Sequence, residues 1–105
     1  MKFYYNGKKV RESKTHEYKY AIVLEQGDNV KVFACAGTRE NALKRLQSEI
    51  NYQKECAESN LRWGKNPENY KWAVEYYGTY NPEEDYKKHI DKIKQIKIVE
   101  LEARN

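Results

Sequence analysis

The stretch from Tyr18 to Thr38, YKYAIVLEQGDNVKVFACAGT, decides the fold. Its first half places Tyr20, Ile22 and Leu24 on one side of an extended chain and Ala21 and Val23 on the other. Apolar residues on both sides mark a central strand covered on both faces. Gln26-Gly27-Asp28-Asn29 is turn chemistry, and the chain returns over Val30–Ala36. There strict alternation sets Val30, Val32 and Ala34 on one face and Lys31, Phe33 and Cys35 on the other. Gly37-Thr38 then opens a helix. The Thr38 hydroxyl is suited to cap free backbone N–H groups, and Glu40 falls in the first turn, where the helix dipole favours a carboxylate. Ala42, Leu43, Leu46, Ile50 and Ala57 recur at helical spacing and predict one apolar stripe to about residue 58. The i,i+4 pairs Glu40–Lys44 and Arg45–Glu49 read as a solvated outer face.

Working outward toward the N-terminus, Asn6-Gly7 sits between Phe3-Tyr4-Tyr5 and Lys8-Lys9-Val10. That dipeptide tolerates the positive φ angles of a two-residue hairpin turn. Toward the C-terminus, Ser59–Asn66 reads as a loop around Gly64. Asn66-Pro67 is an N-cap followed by proline at the first helical position, which opens a short helix to about Tyr77, ended by Gly78. Asn81-Pro82-Glu83-Glu84 repeats the start signal for a third helix carrying Tyr86, Ile90 and Ile93. Ile96–Leu101 closes as a final strand. Strands grouped ahead of helices predict an α+β fold in a single domain spanning residues 1–105. Its expected form is an antiparallel sheet of four to five strands with two or three helices packed on it.

Composition sets bounds on this picture. A chain of 105 residues buries roughly two-thirds of its unfolded surface, enough to fold without a metal or disulfides. Hydrophobic residues make up 39% and charged residues 34%. The core must therefore lean on the ten Tyr, two Trp and two Phe, whose rings bury large areas while keeping a polar edge. The net charge of +4 is spread among interleaved acids and bases. Duplex-DNA readers concentrate their cations on one face, so sequence-specific DNA binding is not expected. Cys35 and Cys56 stand alone and the N-terminus lacks an apolar signal region, which together favour a reducing, cytoplasmic location. No run approaches the roughly 20 apolar residues of a membrane span.

Catalysis finds little footing. His16 and His89 have no partner at a metal-ligand spacing. There is no nucleophile elbow, P-loop, zincin or dinucleotide-binding glycine pattern, so neither an enzyme, a metal nor a cofactor is expected. The acidic run Glu83-Glu84-Asp85 is explained by its place at a helix start.

The segment Leu61–Tyr80 is different. Both tryptophans and four tyrosines fall within it, interleaved with Arg62, Lys65 and Lys71. On a helix Trp72 and Tyr76 share one face, while Tyr70, Ala73 and Tyr77 share another. A short helix cannot bury two aromatic faces in one small core, so one face should meet a partner or ligand. Rings beside cations hold nucleobases and phosphates, and Tyr and Trp also dominate protein interfaces. Arg62, Trp63, Trp72, Tyr76, Tyr77 and Tyr80 are the candidate ligand-binding residues. A weaker signal is the polar link that includes Arg11, Lys14 and His16, whose donors suit phosphate oxygens, although an ordinary hydrophilic loop explains it too. Arg39, near the positive end of the first helix, is a further candidate for an anion site.

Three stretches carry a resemblance: Lys2–Arg11 (KFYYNGKKVR), Lys14–Val23 (KTHEYKYAIV) and Lys97–Arg104 (KIVELEAR). In layout and phrasing the chain resembles small phage-encoded anti-defence proteins, and among them the Thoeris anti-defence sponge family. The resemblance implies a homo-oligomer in the host-cell cytoplasm. Such a protein would bind a cyclic nucleotide immune signal, a cyclic ADP-ribose isomer or a cyclic oligonucleotide, without cleaving it. No ligand residue of that family maps onto a numbered position here. The alternatives are a small inhibitor of a host defence protein, comparable to anti-CRISPR proteins, and a small RNA-binding module.

Overall fold

The computed structural model describes residues 1–105. The chain forms six strands, β1 (Lys2–Tyr5), β2 (Lys8–Glu12), β3 (Tyr20–Gln26), β4 (Asn29–Ala36), β5 (Lys97–Glu100) and β6 (Glu102–Arg104). Three helices, α1 (Arg39–Lys65), α2 (Pro67–Tyr77) and α3 (Pro82–Ile93), lie between β4 and β5. The fold is α+β, and its contacts group into two compact units. One comprises Met1–Ile50 with Gln95–Asn105, the other Asn51–Lys94. Helix α1 begins in the first and ends in the second.

In the first unit β3 is the centre. It pairs antiparallel with β4 on one edge and with β5 on the other. Ala21, Ile22 and Val23 are fully buried because both faces are covered. On one face Ile22 and Leu24 pack with Ala36, Ile96 and, from α1, Ala42 and Leu46. On the other, Ala21, Val23, Cys35 and Val99 pack under Tyr5, Val10 and Leu101. Burying an aliphatic side chain of this size contributes about 1.5–3 kcal/mol, so β3 is the strand whose loss would cost most.

The strands do not form the single sheet of four to five strands expected from the sequence. There are two three-stranded antiparallel sheets, ordered β4-β3-β5 and β2-β1-β6. Both edges of β3 are occupied, and the β1–β2 hairpin pairs with neither β4 nor β5 but takes its own third strand. That strand comes from the C-terminus, which is not one strand but two. Lys97–Glu100 pairs with β3, the Leu101 amide donates to the Lys19 carbonyl at 2.8 Å, and Glu102–Arg104 pairs with β1. Both expected turns form. Asn6 and Gly7 take φ of 49° and 76°, and Gly27 takes 61° between β3 and β4.

Two further expectations change. The alternation assigned to β4 is broken by a bulge, since Ile22 pairs with Ala34 but Val23 pairs with Val32. The extra residue, Phe33, therefore packs against the same cluster as Ala34, while Val30 joins Cys35 on the other face. Helix α1 also does not stop near residue 58. It runs through the expected loop to Lys65, with Gly64 inside it. Within the stripe proposed for it, Ala42 and Ala57 are buried, but Leu43 is 51% exposed. The Thr38 cap does form, accepting from the Asn41 amide at 3.2 Å. No helix is long and apolar enough to cross a membrane.

Candidate functional site

The second unit is built from the end of α1, all of α2 and α3, and their short connections. Asn66 accepts from the Glu68 amide and Asn81 from the Glu84 amide, each followed by proline, so both helix starts are set by local sequence. Gly78 ends α2 at φ 85°. Gly64 is buried where α1 passes the Tyr80–Pro82 connection. A Cβ there would stand 2.5 Å from Pro82 Cβ and closer still to the Tyr80 hydroxyl. Glycine in a helix interior costs about 1 kcal/mol relative to alanine. Here it permits a close approach that no other residue allows, which explains why the helix continues through it.

Few side chains of this unit are buried. Ala57, Ala73 and Ile93 are, but the large rings are not: Trp63 is 43% exposed, Tyr70 45%, Trp72 51%, Tyr76 70% and Tyr77 64%. The expectation that one face of α2 would be covered thus reduces to Ala73, with rings open on either side of it. These rings touch one another. Trp72 stacks on Tyr76 with centroids 5.3 Å apart and planes 9° from parallel, as their i,i+4 spacing predicts. Trp63 meets Trp72 at 6.0 Å and Tyr80 at 6.2 Å, both near perpendicular. Tyr77 meets Trp72 at 6.2 Å and Tyr76 at 4.8 Å, and Tyr70 meets Tyr80 at 6.1 Å. Six rings form one connected aromatic surface.

Behind this surface lies a cleft of about 290 Å³ whose walls include Trp63, Trp72, Tyr77, Tyr80, Asp85 and His89. A broader hollow of about 690 Å³ adjoins it over Tyr77, Tyr80, Asn81, Glu84, Asp85 and Lys88. Burial pushes the Tyr80 phenol above its ordinary pKa, and the negative charge of Asp85 adds to the shift. His89 shares a hydrogen bond of 2.8 Å between its Nε2 and Gln53 Oε1, which holds the imidazole in place.

Five of the ten residues singled out from sequence, Trp63, Trp72, Tyr76, Tyr77 and Tyr80, come together here, and Arg62 lies exposed on the same turn of α1. Arg11, Lys14, His16 and Arg39 belong to the other unit. Arg11 lies 5.0 Å over the Tyr18 ring, His16 stacks on the same ring at 5.9 Å, and Arg39 lies 5.8 Å over Tyr20. The backbone amides of Thr15 and His16 donate to Ser13 Oγ. These groups are thus engaged within their own unit, and Lys14 is exposed. Sequence reasoning passed over Asp85, Tyr86 and His89, which also line the cleft. Their spacing at i, i+1 and i+4 on a helix was the available signal, masked by the adequate helix-start explanation for Asp85.

Comparison with protein-family models, with curated proteins and with solved structures finds no match to this chain.

Proposed function

We propose that this chain is a non-catalytic binding protein whose aromatic surface holds a planar, nucleotide-like ligand and sequesters it. The observation that carries the reading is the connected cluster of six rings, five of them 43% or more exposed. Folding alone gives no return for leaving such rings in water, whereas each base stacked on an aromatic ring contributes about 1–3 kcal/mol to binding. Trp72 and Tyr76 already stack on each other, so no base fits between them; it lies on an outer face of the pair. Arg62, Lys65 and Lys71, all exposed, supply cations for the phosphates at the rim. Following the resemblance drawn from sequence, the first ligands to test are cyclic ADP-ribose isomers and cyclic di- and trinucleotides. Holding such a signal without cleaving it would silence the defence that produces it. A ligand that binds the native state raises the melting temperature by mass action. A rise with one member of the panel supports the reading, and no shift and no heat of binding with any member refutes it.

A second reading has its own observation. Asn51–Lys94 holds eight basic and eight acidic residues, so the whole net charge of +4 sits on the other unit. A neutral, Tyr- and Trp-rich surface suits a protein contact, either a second copy of this chain or a host defence protein. A complex recovered from host lysate by wild-type chain but not by Trp72→Ala would favour it. Sedimentation showing a monomer at all concentrations would remove the homo-oligomeric form.

A further inference from the structure

We propose that the cleft walled by Trp63, Trp72, Tyr77, Tyr80 and Asp85 is a site for a compact organic cation, an alkylated ammonium group. The inference goes beyond the nucleotide reading: it concerns the cleft, not the outer faces of the stacked pair, and stands without a nucleotide.

Shape is the first argument. The rings lining the cleft meet close to right angles, with interplanar angles of 89° for Trp63–Trp72, 80° for Trp63–Tyr80 and 90° for Trp72–Tyr77. A flat base needs a parallel slot or a single open platform. Perpendicular walls instead form a corner, which suits a rounded group that takes π-electron density from several directions. Cations within about 6 Å of a ring centroid are held this way, and quaternary ammonium groups most of all, because they are weakly hydrated.

Charge is the second. Among the Lys, Arg, Asp and Glu side chains of the chain, Asp85 alone lines the cleft. A phosphate entering it would meet a carboxylate and no opposing Lys or Arg, with the His89 imidazole, already hydrogen-bonded to Gln53, on the wall. An ammonium group would meet a carboxylate and five Tyr and Trp rings, Tyr86 among them. The nearby Lys88 pairs with Glu84 at 3.4 Å. Burial is the main cause that raises the Tyr80 phenol, and the charge of Asp85 across the cleft adds to it. The volume, about 290 Å³, accommodates a trimethylammonium headgroup.

The site carries its own reporter, because Trp63 and Trp72 are the two tryptophans of the chain and both line it. The experiment titrates the full chain, at constant ionic strength, with tetramethylammonium, with choline and with a trimethyllysine peptide while following tryptophan emission. The uncharged control is 3,3-dimethyl-1-butanol, which replaces the nitrogen of choline with carbon. Saturable binding of choline, with the uncharged analogue about tenfold weaker, is the expected result, the order of a partly desolvated cation–π contact. D85N should weaken choline about fivefold or more, whereas E83Q, at a position outside the cleft, should leave it unchanged. Binding of choline and peptide alike assigns the headgroup itself as sufficient; binding of the peptide alone assigns a modified side chain on a protein partner. Equal affinity for the uncharged analogue, or no saturable change with any of the three cations, overturns the proposal. The wild-type comparison decides the matter even if D85N unfolds.

Discussion

The two compact units treat their aromatic rings in opposite ways. In the sheet-bearing unit Phe3 is fully buried, and Tyr4, Tyr5, Tyr18, Tyr20 and Phe33 are at least partly covered. In Asn51–Lys94 six rings are exposed, Tyr52 and the five of the cluster, and only Tyr80 and Tyr86 are partly covered. The same residue types thus serve stability in one unit and presentation in the other. The difference follows from the layers. A strand pair covered by a second sheet on one side and a helix on the other closes over its rings. Two short helices beside a helix end cannot, and their small contacts, Ala57, Ala73 and Gly64, bring backbones close while leaving the large side chains outside.

The sharpest way to test this division is to damage each unit in turn. Ile22→Ala removes a fully buried side chain from the central strand and should destabilise the chain by about 2–5 kcal/mol in chemical denaturation. A loss below about 1 kcal/mol would mean that β3 is not the core. Gly64→Ala is the corresponding test for the other unit. By helix propensity it should stabilise by about 1 kcal/mol, but the clash with Pro82 and Tyr80 should reverse the sign and cost about 1–3 kcal/mol. A stabilised variant would show that α1 does not approach that connection.

These contrasts also separate what was legible in the sequence from what was not. The hairpin at Asn6-Gly7, the caps at Thr38, Asn66 and Asn81, and the two-faced burial of β3 are local signals, and all appear in the structure. The passage of α1 through Gly64 was hidden because its compensation comes from Tyr80 and Pro82, sixteen or more residues away. The split into two sheets was hidden for a similar reason: it depends on β5 occupying the free edge of β3, and the six residues Ile96–Leu101 gave no sign of changing sheets at Leu101. The bulge at Phe33 is equally silent, since one extra residue shifts the face of every side chain beyond it. Among the candidate site residues the ring cluster was legible from crowding alone. Asp85 and His89 were not, because a capped helix start is sufficient reason for an acidic residue.

Smaller effects sharpen the picture. Asn66→Ala removes the cap of α2 and should cost about 1 kcal/mol, read as a lower midpoint of tryptophan emission in denaturant, since Trp72 lies on that helix. Trp72→Ala should cost about 1 kcal/mol of stability or less, because the ring is 51% exposed. It should nevertheless weaken a stacked ligand by about 1–3 kcal/mol, which calorimetry can follow. A large stability loss would instead make the cluster an ordinary core.

The smallest predicted effect lies in the other unit. Tyr5 donates a hydrogen bond to the Glu25 carboxylate, which holds the Glu25 pKa below its usual 4.5, and Lys97 lies 3.5 Å from the same oxygen. A depressed folded pKa contributes stability above the unfolded value that is lost as pH falls through the folded one. Between pH 5 and 3 the wild-type chain should therefore lose slightly more stability than Tyr5→Phe, as denaturation midpoints would show. The Tyr5 phenol is raised by the same partner, so its contribution is present below pH 10 and lost above it.

The most direct test of the central claim follows the two indole N–H signals and the amides of β3 by two-dimensional NMR while a panel of cyclic nucleotides is added. The account predicts that at least one ligand shifts the Trp63 and Trp72 indoles in a saturable way and leaves Ala21–Leu24 unmoved, and that Trp72→Ala abolishes the response. Indoles that no ligand moves, or shifts confined to the amides of β3, would contradict it.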